Sequence, residues 1–294
     1  KESSAASDVY KRQMLNSDSN LWVEKLRQNM QCLGKFSESK AKSIIGSVAS
    51  FLDTTVNVDN PILECELPVD GSRFEALIPP VVATPTFTIR KKAIKIFTLD
   101  DYIKSEILTP KQKQIIEKAI LERENILIVG GTGSGKTTFA NAIIAGITRL
   151  TPEHRIIIIE DTAELQCASK NKVVLRTSDK ADMLRLLKAT MRLRPDRIIV
   201  GETRGKEALD LLKAWNTGHP GGIATVHANS AYGGLTRLEQ LISEVSTTNM
   251  SELIAEAVNL VVFIKKTNNG RKIKEIIKIS GFNNENKKYI FNQI

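Results

Sequence analysis

Aromatic residues are scarce in this sequence: Phe, Trp and Tyr make up 5% of 294 residues. Proteins that grip single-stranded nucleic acid stack bases on such rings, so the scarcity argues against a dedicated nucleic-acid surface. Cysteine is scarce as well. Cys32, Cys65 and Cys167 lie far apart and form no CxxC pair. A structural zinc site needs about four clustered ligands, so none is available, and buried free thiols are expected. No apolar run approaches the roughly 18 residues that span a bilayer. No secretory segment opens the chain, which predicts a cytosolic protein. Internal repeats and low-complexity blocks are absent too, which excludes a collagen-like chain, and the few cysteines exclude a disulfide scaffold.

What remains is an ordinary globular composition, 41% hydrophobic and 26% charged. The length suits about two domains of roughly 100–200 residues each. The formal charge of +9 suits an anionic partner, whether nucleotide, nucleic acid or lipid headgroup.

Residues 1–13 show no period and are expected to be a disordered or non-native end. Residues 14–92 read as a small α+β domain. LWVEKL has the pattern of a strand. Ser37 can cap a helix that carries Ala41, Ile44, Ile45, Val48, Phe51 and Leu52 at helical spacing. ILECELPV and RFEALI flank the hairpin signal Asp70-Gly71, and TFTIRKK reads as a further strand. Residues 93–109 read as a linker. From residue 110 to 294 apolar strands (ILIV, RIIIIE, VVLR, RIIV, IATVH) alternate with helical patterns, the signature of a mainly parallel α/β sheet. Antiparallel strands around Asn269-Gly270 close the chain.

The segment Gly130-Gly131-Thr132-Gly133-Ser134-Gly135-Lys136-Thr137, with Thr138 after it, fits G-x4-G-K-[ST] in full. It follows a strand and opens a helix, the context this motif requires. Backbone N–H groups and the positive helix end would face phosphate oxygens. Lys136 is expected to reach the β- and γ-phosphates of ATP, and the Thr137 hydroxyl to ligate Mg²⁺.

In open parallel sheets, ligands sit at the carboxyl ends of the strands. Glu160-Asp161, with Glu164 behind them, close one strand, and Glu202 closes another. Glu202 is the candidate to orient and deprotonate the attacking water. Glu164 is the second candidate, for Mg²⁺ coordination or water positioning. Asp161 is expected to cap the following turn. His227 ends IATVH and can face the same cleft, to sense the γ-phosphate or to link hydrolysis to subunit movement. His219 sits in the loop TGHPGG, and His154 reads as a surface residue. For Arg73, Arg90, Arg192, Arg194 and Arg204 the residues alone favour solvated positions.

Four motifs occur in order: GGTGSGKTT, IIIIEDTAELQ, LRPDRIIVGETRG and GHPGGIATVHANSA. They resemble the Walker A, Asp box, atypical Walker B and His box of the type II/IV secretion traffic ATPases. CELPVDGSRFEALIPPVV, FTLDDY and LLKAWNTGHPGG look most like the conjugal-transfer branch, and the likeness spans residues 20–294. The resemblance implies a RecA-like ATPase domain behind a smaller N-terminal domain, assembled as a homohexameric ring. It implies ATP hydrolysis at the cytoplasmic face of the inner membrane, with peripheral contact to anionic lipid, powering pilus assembly or substrate transfer. By position it assigns catalytic roles to Lys136, Glu164, Glu202 and His227, and brings Arg73 and Arg90 to the γ-phosphate. Three scattered cysteines cannot supply the four-cysteine zinc element of the type II branch. A pilus-retraction motor is the alternative, and a RecA-like nucleic-acid motor a more distant one. A guanine-reading Asp after Asn171-Lys172 and an LSGGQ-like signature are both missing, which disfavours GTPase and ABC-type readings.

Overall fold

The computed structural model describes residues 10–25, 29–91, 96–178, 180–268 and 270–294, and divides into two compact units, Lys1–Ile94 and Lys95–Ile294.

The first unit is an antiparallel sheet with one helix. Its strands are β1 (Tyr10–Leu15), β2 (Asn20–Lys25), β3 (Gln31–Lys35), β4 (Ile62–Glu66), β5 (Arg73–Leu77) and β6 (Thr86–Arg90), in spatial order β3-β2-β1-β6-β5-β4. Helix α1 (Glu38–Phe51) begins at Ser37, whose hydroxyl accepts from the Lys40 N–H. Its buried Ala41, Ile45 and Ala49 pack with Leu15, Leu63, Phe74, Ala76 and Phe87 from one face of the sheet. Alternation along each strand leaves Arg73 and Arg90 on the other face. The supposed unstructured end is corrected here: Tyr10–Leu15 is a strand, pairing with β2 and β6. Periodicity failed there because β1 is the short, polar YKRQML, while residues 1–9 lie outside the described residues. Strand β3 carries no buried stripe to mark it in the sequence, because its residues are all exposed. Cys32 lies on it, so it is an exposed thiol rather than a buried one; Cys65 and Cys167 are half-buried, and all three are free.

The second unit contains α2 (Leu99–Lys104), α3 (Pro110–Leu121), β7 (Ile126–Val129), α4 (Lys136–Leu150), β8 (Ile156–Glu160), β9 (Lys172–Arg176), α5 (Met183–Thr190), β10 (Arg197–Val200), α6 (Glu207–Asn216), β11 (Ile223–Val226), α7 (Ala231–Ser243), α8 (Ser251–Ala257), β12 (Leu260–Thr267), β13 (Gly270–Asn283) and β14 (Lys288–Gln293). The sheet order is β14-β13-β12-β7-β11-β10-β8-β9. From β12 to β9 every pairing is parallel, while β13 and β14 add an antiparallel edge. Strands ILIV, IIIIE, RIIV and IATV are buried throughout, as strands covered by helices on both faces must be. One face packs on Leu99, Ile116, Phe139 and Ile143, the other on Leu187, Leu212, Leu235 and Ile254.

The linker reading of residues 93–109 also needs correction. Leu99, Tyr102 and Leu108 are core residues of the second unit. Thr98 and Asp101 form a reciprocal capping box at the start of α2. The segment looked polar because a helix this short shows only one buried stripe. Residues 92–95 lie outside the described residues.

Candidate functional site

The phosphate loop leaves β7 and enters α4. Gly133 and Gly135 adopt φ of 70° and 98°, a left-handed backbone that glycine enters without a Cβ penalty. Gly130 has no room for a Cβ, which would sit 2.5 Å from the Ile264 carbonyl. The loop is thereby pressed against β12, and the first turn of α4 presents its N–H groups outward.

Lys136 is 7% exposed and reaches back over the loop. Its Nζ donates to the carbonyls of Gly130 (2.9 Å) and Gly131 (3.3 Å). The same Nζ lies 3.3 Å from Nδ1 and 3.2 Å from Nε2 of His227. Burial pushes the Lys136 ammonium down to about 8, against the pull of Glu202. His227 Nε2 in turn lies 2.7 Å from Glu202 Oε1. Desolvation, followed by the Lys136 charge, lowers the His227 pKa and favours the neutral ring.

Glu202 follows the end of β10. The residue before it is fixed from both sides: Gly201 N–H donates to the Ile159 carbonyl at 2.8 Å, and the Thr225 hydroxyl donates to the Gly201 carbonyl at 2.8 Å. The second carboxylate oxygen accepts from Arg204 at 2.6 Å. Burial raises the Glu202 pKa, but the Arg204 hydrogen bond and charge, then His227 and Lys136, outweigh it and hold the carboxyl below its usual range. Arg204, expected in a solvated position, is an exposed side chain whose head is committed to Glu202, with Asp161 3.8 Å away.

Glu160 takes the capping role expected of Asp161. It is 2% exposed, and its Oε2 accepts from the backbone N–H groups of Glu164 and Leu165, both at 2.9 Å. Asn141 of α4 secures the same loop, donating to the Glu164 carbonyl and accepting from Gln166. Glu164 is thus held beside the loop, close enough for its charge to act on Lys136 and Arg204. Asp161 instead accepts from the Thr177 hydroxyl at 3.0 Å. His154 is a half-buried partner of Arg197 rather than a surface residue, accepting from its Nε at 2.9 Å. His219 faces the Pro195 carbonyl at 3.2 Å.

The second unit therefore brings together Lys136, Glu164, Glu202 and His227 with the glycine loop. Arg73 and Arg90 belong to the first unit, directly opposite one another on β5 and β6, and Arg12 pairs with Arg90 from the other side. Glu24 and Glu66 occupy the ends of this cross-strand row. Among the described residues no group of three or more His, Cys, Asp or Glu could hold a metal ion. One threonine hydroxyl and nearby carboxylates fit Mg²⁺ that keeps most of its ligands as water and phosphate. They do not make a free-standing metal cage.

A buried strand, a phosphate loop, a helix, and an acid and a histidine at adjoining strand ends define a P-loop nucleoside-triphosphatase of RecA type. The family model described as Type II/IV secretion system protein matches residues 8–283, and the chain belongs to that family. It is 54% identical over 271 residues to the probable conjugal transfer protein TrbB of Sinorhizobium fredii (strain NBRC 101917 / NGR234), covering 92% of this chain and 83% of that one. The VirB11 ATPase from the Brucella suis type IV secretion system, solved in complex with sulphate, superposes with a TM-score of 0.53 at 25% identity, covering 93% and 94% of the two chains. The pilus retraction motor PilT with bound ADP gives 0.68 at 19% identity, covering 99% of this chain and 80% of PilT, a likeness of fold alone.

Proposed function

We propose that this chain is an ATP hydrolase that drives conjugal transfer or type IV secretion as one subunit of a ring. The carrying observation is the continuous contact from Lys136 through His227 Nδ1 and Nε2 to Glu202 behind a complete phosphate loop. Relatives named as conjugal-transfer and type IV secretion proteins support the setting. Sulphate in the related VirB11 structure supports a phosphate ligand.

In this reading, the loop N–H groups and α4 hold the phosphates, and Lys136 turns from its carbonyls toward the β- and γ-phosphates. Phosphate charge counters the burial that pushes the lysine pKa down. Glu202 accepts the proton of the attacking water. His227, bonded to the same carboxylate, reports whether that oxygen is engaged. Thr137 and Glu164 would hold Mg²⁺, which supplies neutralising charge at the phosphates when bound. No helix among the described residues is long and apolar enough to cross a membrane. Contact with the inner membrane is read as peripheral, through the positive charge.

One assay tests the reading. The wild-type chain is expected to hydrolyse ATP and to respond to anionic vesicles but not to single-stranded DNA. Lys136→Ala should lower turnover by about 10²–10³-fold, the usual loss of one electrostatic stabiliser. Near-normal turnover in the variant would sink the enzyme assignment, and stimulation by DNA alone would favour a nucleic-acid motor.

The Arg204 contact gives a pH prediction. Removing this cation removes a group that favours the ionised Glu202, so the carboxyl pKa must rise. The base is protonated below its pKa. Arg204→Ala should therefore move the acid limb of the pH–rate profile to higher pH, and an unmoved limb would detach Arg204 from the base.

A further inference from the structure

Strand β12 runs parallel to β7 and continues past the phosphate loop, and β13 returns beside it. The tip of this hairpin carries Lys265, Lys266, Arg271, Lys272 and Lys274 with no acid between residues 265 and 274. Lys266 stands directly opposite Arg271, and Lys265 opposite Lys272. Like charges placed directly across an antiparallel pair destabilise it. Among the described residues none of these five cations makes an ion pair within the chain. Successive strand residues alternate faces, so Lys266 shares the Arg271 face while Lys265 and Lys272 point to the other, and an anion beside Arg271 would relieve the Lys266–Arg271 pair.

Arg271 points at the loop. Its guanidinium lies 3.4 Å from the Gly133 carbonyl, a contact at the limit of a hydrogen bond. A Cβ on Gly135 would come within 2.9 Å of the Arg271 Cδ and Nε. The missing side chain at Gly135 therefore serves two ends, the left-handed turn and the close approach of this arginine. Beyond it, Tyr102 packs on Phe139 of α4 with ring centroids 5.2 Å apart, and the Arg271 charge reaches the tyrosine hydroxyl. A guanidinium has five donors, and one long carbonyl contact leaves most of them available.

The sheet order decides which end of the nucleotide it meets. β12 and β13 lie on one side of β7, while β11 and β10, which carry His227 and Glu202, lie on the other. The reacting γ-phosphate belongs on the β11 side, where Lys136 meets His227. The remainder of the nucleotide then lies toward the hairpin. We propose that Arg271 is a nucleotide-binding residue that takes the α-phosphate, from the side of the phosphate loop opposite to the catalytic acid. This rests on the ATP reading above and adds a binding residue outside the four sequence motifs.

The test measures affinity by calorimetry on the full chain, with ATP, ADP and adenosine as probes. Arg271→Ala should weaken ATP and ADP equally, by about tenfold, the size of one charge-assisted hydrogen bond at a partly exposed site. Adenosine affinity should not change. Arg271→Lys should recover part of the loss, because charge returns without the planar fork. Arg271 is exposed, and an unchanged thermal midpoint would show that the fold is intact. Unchanged ADP affinity in Arg271→Ala would overturn the inference. So would a loss confined to ATP, which would mean a γ-phosphate contact, or an equal loss for adenosine, which would mean a base contact. If the wild-type chain bound no ATP or ADP, the nucleotide reading itself would fall. Binding by the wild type with no loss in the variant would remove only Arg271.

Discussion

Glu202→Gln is expected to keep ATP affinity and to lose turnover by about 10²–10⁴-fold, the span of a general-base contribution. The amide keeps the size of the carboxylate and part of its contact with Arg204, now 2.6 Å away. It cannot accept the proton of water. Three cationic or hydrogen-bonding neighbours hold the native carboxyl in its ionised form, so the base is ready throughout the neutral range. Each of its oxygens is already engaged, one by His227 and one by Arg204, so an approaching water must share or displace one of them. Single-turnover kinetics with separately measured binding checks this. Glu164→Gln should impair hydrolysis with a larger effect on Mg²⁺ dependence. If Glu164→Gln loses turnover and Glu202→Gln does not, the two acids have exchanged roles.

Much of this site was legible because its chemistry sits in local patterns. The phosphate loop needs glycines and a lysine at fixed spacing, and Glu202 and His227 close apolar runs whose strand character is plain. Parallel strands put both residues at the same sheet edge, so the contact with Lys136 follows from topology. What the pattern could not show were contacts set by sheet order. Arg204 is two residues from Glu202, and only the turn after β10 decides that it folds back onto the carboxylate. Arg271 lies 138 residues from Gly133 and reaches it because β12 happens to neighbour β7. Glu160 took the cap role from Asp161 because successive strand residues point to opposite faces. The single remaining signal for Arg271 was the run of hairpin cations.

The fold was legible to a similar degree and failed for similar reasons. Long, fully buried strands announced themselves, whereas β1 and β3 did not. YKRQML and QCLGK bear polar or exposed residues and are strands through their partners. The stretch around FTLDDY looked like a connection because its apolar residues are few. Those few, Leu99 and Tyr102, are buried against α4.

Arg73→Ala and Arg90→Ala are each expected to fold and bind ATP but to hydrolyse it poorly. The expected loss approaches about 10³–10⁵-fold, the range for an arginine at a transferring phosphate, with less for an accessory one. Folding should survive because the core face of the sheet carries Phe74 and Ile89, while the arginines alternate to the other face. Arg12, Arg90 and Arg73 stand side by side across three strands, with Glu24 and Glu66 at the two ends of the row. Mixing variants decides whether the pair serves its own subunit or a neighbour. A chain carrying Arg73→Ala and Arg90→Ala has an intact phosphate loop, and a Lys136→Ala chain has intact arginines. Recovery of hydrolysis on mixing the two inactive chains would place the arginines across a subunit boundary and establish that the subunits assemble. No recovery, with both chains shown to co-assemble, would place them within one subunit. Full activity of the double-arginine chain alone would refute a catalytic role for the pair.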